Sequence, residues 1–281
     1  MTSMTVPATT PDTRLVPQTS TGYRVTGRRV LRSEWTKFWS VRSPIWTLLV
    51  AVALTVGLGA LFSAVRSSQH ASMNAHELAT FSATATSLSG MSIAELAIGV
   101  LGVLVITGEY ATGMIRSSLT VVPKRLPVLW SKIGITSGVS FGAMLIASFA
   151  AFFLGQALLS SHGLSTTLGA PGVFRSVVGA ALSVTVIAIF SLGLGALLRN
   201  TAAAISTFVG IFFVLPPLAG LLPGSLSTDI TPYLPSNAAA ALFGGDTGFT
   251  LLSPWSGFAV LCAYAAAITA AAAWRLRRTD A

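Results

Sequence analysis

Six stretches of this sequence run for about twenty residues or more with almost no charge, and nothing else in the chain restricts its fold so tightly. They fall near 44–65, 86–107, 133–159, 174–197, 202–224 and 253–274. A hydrocarbon core of ~30 Å takes roughly 20 apolar residues to cross as a helix, so each run is long enough to span a bilayer. Composition agrees, at 53% hydrophobic and 9% charged, against about a quarter charged in a soluble domain. The expected fold is an all-α polytopic membrane protein with six transmembrane helices. The fourth and fifth are joined only by LRNT around Arg199, which predicts a tight helical hairpin. Pro216 and Pro217 in the fifth remove backbone donors and should kink or break it.

Lysine and arginine set the orientation. With six crossings both termini share one side, and that side holds fifteen of the seventeen basic residues; Arg66 and Arg175 alone lie opposite. The positive-inside rule then places both termini in the cytoplasm, in a multi-pass protein of the cytoplasmic membrane. His70, His76 and His162 fall in outside loops. The net charge of +9 is not a nucleic-acid signal, because the cations flank apolar runs and are not interleaved with aromatics on a soluble face. Residues 1–26, rich in Thr and Pro, are expected to be a disordered cytoplasmic tail, and 27–281 a single six-span domain. Cys262, the single cysteine, lies in an apolar run and is read as packing. The two three-span halves share no visible motif, which does not support an inverted repeat.

Two stretches interrupt the apolar character. Before the first span, GRRVLRSEWTKFWSVRSP projects as an amphipathic helix. Val30, Leu31, Trp35, Phe38, Trp39 and Val41 share about half its circumference, and Glu34 is an exception inside that apolar arc. A basic helix with Trp and Phe on its other face suits the membrane interface. It is either an ordinary juxtamembrane anchor or a helix that meets a cytoplasmic partner through Glu34 and Lys37. After the second span comes TGEYATGMIRSSLTVVPKR. Gly108 is expected to end the membrane helix, and Pro123 to stop anything helical beyond it. Between them, Glu109, Thr112, Gly113 and Arg116 project to one side of a short helix, and Tyr110, Met114, Ile115 and Leu119 to the other. Lys132 is expected to snorkel at the start of span three. The cations here are explicable by topology alone; Glu109 is not.

The order of these elements resembles ABC-2 type transporter permeases, the membrane subunits of a class of ABC exporters. The residues that carry the resemblance are SEWTKFWSVRS, then GEYATGMIRSSLTVVPKR with its spacing of Glu109, Gly113, Pro123 and Lys132, then the six spans across 27–278. It implies that the lead-in is a connecting helix and that the loop holds a cytoplasmic coupling helix docking into an ATPase subunit. Glu109 and Arg116 would be polar contacts there, Tyr110 and Met114 packing anchors, and Glu34 and Lys37 contacts from the lead-in. The implied partners are an ABC ATP-binding subunit, a second permease copy or related permease, and membrane lipids, with no nucleic acid. No cofactor is expected in this chain, ATP and Mg²⁺ being bound by the ATPase. YLPSNAAAALFGG (233–245) is similar to the outside segment of such proteins; from its residues it reads as a proline turn, a Ser236 or Asn237 cap and a short surface helix.

A P-loop needs glycines followed by Gly-Lys-Ser/Thr to hold phosphates. The three lysines, 37, 124 and 132, each follow a residue other than glycine, so the chain is expected to borrow its energy from another subunit. An enzyme is not expected: no histidine falls within a span and no HExxH occurs. Asp229 and Asp246 read as turn residues. Glu95 is the one acid placed inside a span. It either lines a translocation path or subunit interface, or is a protonated or hydrogen-bonded group near the outer boundary. Gly138 and Gly142 form a GxxxG expected to pack within the molecule, and Gly99 and Gly155 have apolar residues at the same spacing. The alternative to an ABC permease is an ATP-independent membrane transporter or a membrane scaffold.

Overall fold

Six helices have the length and apolar character to cross a membrane in the computed structural model, which describes residues 27–114, 126–245 and 247–278. The expected tail 1–26, Arg116 with the rest of the loop at 115–125, and Asp246 lie outside the described residues. The chain begins with α1 (Gly27–Ser40) and turns at Val41 into α2 (Arg42–Ser68). Short helices α3 (Ala75–Thr80) and α4 (Ala83–Ser87) lead to α5 (Met91–Ala111). Then follow α6 (Leu126–Ser160) and α7 (Val173–Leu198). The fifth crossing combines α8 (Thr201–Val209), a π turn (Gly210–Val214) and α9 (Leu215–Gly220). Finally α10 (Ser225–Ile230) and α11 (Pro235–Phe243) precede α12 (Pro254–Arg278). No strand occurs among the described residues, and the protein is an all-α polytopic membrane protein.

The centre is α7, the most buried of the six membrane-length helices, with α5, α6, α11 and α12 packed around it. Lipid is as apolar as leucine, so close backbone approach and dispersion, not water exclusion, hold such helices together. Gly102 of α5 shows how close: a Cβ there would stand 2.5 Å from the Ala188 carbonyl oxygen of α7. Gly99 faces the Phe208 ring, and Gly155 faces Ser87 and Ser63. Gly138 and Gly142 do not pack as expected: a Cβ on either would meet nothing within 4 Å.

The prolines of span five act one turn earlier than their own position. Lacking N–H groups, Pro216 and Pro217 leave carbonyls of the preceding turn without α-helical donors. The chain widens there, and Leu215 N–H bonds back to the Gly210 carbonyl. Such π turns are a recognised way to re-satisfy backbone inside a long helix. The 198–201 hairpin turns on Arg199 at φ 56°, and Asn200 caps α8 by accepting from Ala203 N–H at 2.9 Å. The 233–245 stretch differs from expectation. It forms α11 with Pro235 in its first turn, but Asn237 through Phe243 are buried instead of lying on the surface. Its alanines let it wedge between α7 and α12, where Ser183 donates to the Ala239 carbonyl at 3.0 Å. Asn237 donates to the Thr231 carbonyl and caps nothing.

A buried ion-pair cluster as the candidate functional site

Glu34 lies inside the apolar arc of α1 because that face is the one that docks. Val30, Glu34 and Phe38, spaced by four residues, are the buried positions of the helix, and Val30 packs on Val128 of α6. Leu31, Trp35 and Trp39 remain 46%, 49% and 44% exposed. The docked face delivers the Glu34 carboxylate to Lys132, whose Nζ donates to Oε2 at 2.6 Å. Lys37, one turn on, donates to the other oxygen of Glu34 at 2.7 Å.

The fourth member arrives from α5, which runs through Gly108 to Ala111 instead of ending at that glycine. Glu109 is therefore part of the membrane-length helix and not of a separate one. Its Oε1 accepts from Lys132 at 2.7 Å and from Lys37 at 3.4 Å. The side chains of Lys132, Glu34 and Glu109 are 4%, 5% and 10% exposed, and that of Lys37 is 28% exposed. Two acids and two bases neutralise one another, as burial of charge requires. Burial opposes the Lys37 ammonium, but the Glu34 hydrogen bond and the Glu109 and Glu34 charges outweigh it and hold its pKa above the ordinary lysine value.

The cluster lines a cavity of about 250 Å³ between α1, α5 and α6, with Phe38, Val105 and Ile135 as apolar wall. Glu109 Oε2 and Thr136 Oγ1 are buried beside it with no hydrogen-bond partner among the described residues. Expectation and structure part company here. Glu34 and Glu109, expected as outward contacts, direct their carboxylates into the protein. Lys132, expected to snorkel, sits in the second turn of a helix that begins at Leu126 and is held inward by the two carboxylates. Nothing in the sequence joins Lys132 to the two acids or marks Thr136 as their neighbour. The available signal was Glu34 itself, an acid on an otherwise apolar face.

Beyond Glu109 the chain turns outward. Tyr110 is half-buried, with the Arg199 guanidinium 5.5 Å from its ring centroid. Gly113 adopts φ 71°, and Met114 after it is 45% exposed. Arg275 donates to the Leu197 carbonyl, so α1, the α5 end, the α6 start, the 198–201 hairpin and the end of α12 share one end of the bundle. At the opposite end Ser67 meets His162 Nδ1 at 2.8 Å, and the His70 and His162 rings stack at 5.6 Å.

Glu95 is 5% exposed in the second turn of α5. That is about 21 Å of helix from Glu109 at 1.5 Å per residue, and none of the four cluster side chains bonds to it. Among the described residues no group of three His, Cys, Asp or Glu side chains is placed to hold a metal. One G-x-S-x-G does occur, Gly138-Val139-Ser140-Phe141-Gly142. It lies within α6, with Ser140 buried mid-helix, where a hydrolase nucleophile needs a sharp strand-to-helix elbow and a base. Comparison with protein-family models finds no match, and comparison with curated proteins finds none either.

Proposed function

We propose that this chain is the membrane-spanning permease subunit of an ABC transporter of the ABC-2 type, an exporter of the cytoplasmic membrane driven by ATP hydrolysis in a separate subunit. The observation that carries the reading is the Glu34–Lys37–Glu109–Lys132 cluster. It ties the lead-in helix to both helices that frame the charged loop, at the root of that loop. A force applied to the loop displaces the end of α5 and the start of α6, and short buried ion pairs make α1 move with them. The cluster is then the joint that transmits, and the docking surface is the loop beyond it, with exposed Met114 and Arg116 as its contacts. The resemblance of SEWTKFWSVRS and GEYATGMIRSSLTVVPKR to connecting and coupling elements supports this, as does the lack of a P-loop lysine in the sequence. Both termini face the cytoplasm on the distribution of basic residues, and two permeases form the pathway above two ATPases.

The test is co-purification of the tagged full-length protein from its native membranes. An ATPase subunit is expected to accompany it. Met114→Asp and Arg116→Glu weaken that association, whereas the neutral pair Glu109→Gln/Lys132→Met keeps it and lowers ATP-dependent transport. Recovery of the protein without an ATPase, with transport intact in ATP-free vesicles, sinks the reading.

That second result favours an ATP-independent transporter, for which Glu95 is the supporting observation. An acid buried in a membrane-spanning helix is by default a functional group, apt to carry protons or bind a cation. On this reading Glu95→Gln abolishes gradient-driven uptake in ATP-free vesicles.

A further inference from the structure

Gly134, Gly138 and Gly142 stand one turn apart on α6, and a Cβ built on any of them meets nothing within 4 Å. Glycines that serve packing inside this bundle look different, as the 2.5 Å approach at Gly102 shows. The stripe is thus the floor of a groove open at the protein surface. Leu49 and Val52 of α2 line one wall, and Leu31, Trp35 and Trp39 of α1 stand over the end where α1 crosses α6. The space is about 1040 Å³, comparable with the upper end of the ~300–1,000 Å³ of small-molecule sites. From Gly134 to Gly142 the floor runs ~12 Å along the helix, close to the ~15 Å that one leaflet contributes to a ~30 Å hydrocarbon core.

The rim supplies the second half of the chemistry. Arg28 and Arg32 line the same groove and are exposed, and no described acid pairs with either. Guanidinium groups bind phosphate through paired hydrogen bonds, and tryptophans settle at headgroup level. We infer that this groove binds one anionic phospholipid, with an acyl chain on the Gly134–Gly138–Gly142 floor and the phosphate on Arg28 and Arg32. A glycine stripe also suits a second helix, but another copy of this chain has little to offer the rim. The described acids of this end, Glu34 and Glu109, are both buried in ion pairs. A phosphate complements two arginines; a second basic surface does not. The inference stands apart from the energy source proposed above.

The test uses full-length protein in phosphatidylcholine vesicles, with Trp46, Trp130, Trp255 and Trp274, all exposed, replaced by Phe so that Trp35 and Trp39 report alone. Chain-brominated phosphatidylglycerol is expected to quench them with an association constant on the order of tenfold above brominated phosphatidylcholine. Arg28→Gln/Arg32→Gln brings the ratio near one. Gly138→Leu, which fills open space, removes quenching by the anionic lipid while helical circular dichroism is retained; Gly142→Leu repeats the block deeper should the first variant misfold. Equal quenching of the parent by both lipids overturns the inference, and so does an undiminished preference in the double arginine variant. So, too, does a glycine variant that loses intersubunit cross-linking but keeps the lipid preference, since the groove then belongs to a second copy.

Discussion

Lys132 stands between two carboxylates, 2.6 Å from Glu34 and 2.7 Å from Glu109, with 4% of its side chain exposed. Removing the cation leaves two buried acids to share Lys37, which is 28% exposed and 3.4 Å from Glu109. Breaking a buried pair in this way costs about 3–5 kcal/mol, whereas replacing the whole set by neutral groups is often close to neutral. Lys132→Met should therefore lower the thermal unfolding midpoint of the purified protein sharply. Glu109→Gln/Lys132→Met, which keeps the Glu34–Lys37 pair and the neutrality of the cluster, should recover most of the loss; a double variant no more stable than the single one removes the electrostatic explanation. Lys37 adds a pH dependence of definite sign. Its folded pKa is raised, so the stability it contributes is full below the unfolded lysine value of about 10.4 and disappears as pH rises through the folded one. The stability difference between the parent and Lys37→Gln should hold from pH 7 to 10 and shrink above that. At this scale the sequence exposed the oddity of Glu34 and of Glu109 but not their connection, because Glu34 and Lys132 are 98 residues apart and helical periodicity carries no information across such a distance.

Helices themselves were legible, since span length and hydrophobicity are fixed by bilayer thickness and not by tertiary detail. Each of the six expected runs corresponds to a membrane-length helix, with ends shifted by one to five residues except at the third, which begins at Leu126, seven residues earlier than expected. What periodicity does not reveal is which small residues touch. Gly102 and Gly138 look alike in an apolar run, yet one abuts the Ala188 carbonyl and the other faces open groove. The alanine-rich stretch 238–241 likewise reads as a surface helix until its neighbours are known, and is buried because small side chains admit close approach on every side. Gly102→Ala forces backbone of α5 and α7 apart and should cost about 1–3 kcal/mol. Gly138→Ala meets nothing, and the better helix propensity of alanine should leave it neutral or more stable by roughly 0.5–1 kcal/mol. Parallel thermal unfolding of the two variants in one detergent checks both. Equal losses contradict the assignment of Gly138 to an open surface.

For the whole molecule, the two ends of the bundle differ in kind. One gathers the ion-pair cluster, Arg199 and Arg275, and brings the first and last described helices to the same side. The other carries the stacked His70 and His162 and the polar contacts of Ser67 and Gln156. Loop arginines and lysines resist translocation, so the proposed orientation puts the basic end in the cytoplasm, and an ATPase is able to meet the 112–125 loop only if that holds. Orientation is therefore the premise on which the proposed coupling depends, and it is testable without knowing the cargo. In a Cys262→Ser background, a cysteine at exposed Ser165 should react with a membrane-impermeant maleimide on intact cells. A cysteine at exposed Thr112, at the root of the charged loop, should react only after permeabilisation. The reverse pattern would put the cluster on the outer face, out of reach of cytoplasmic ATP hydrolysis. The ion pairs would then fasten α1 to the bundle without transmitting anything, and the acid left to explain transport would be Glu95.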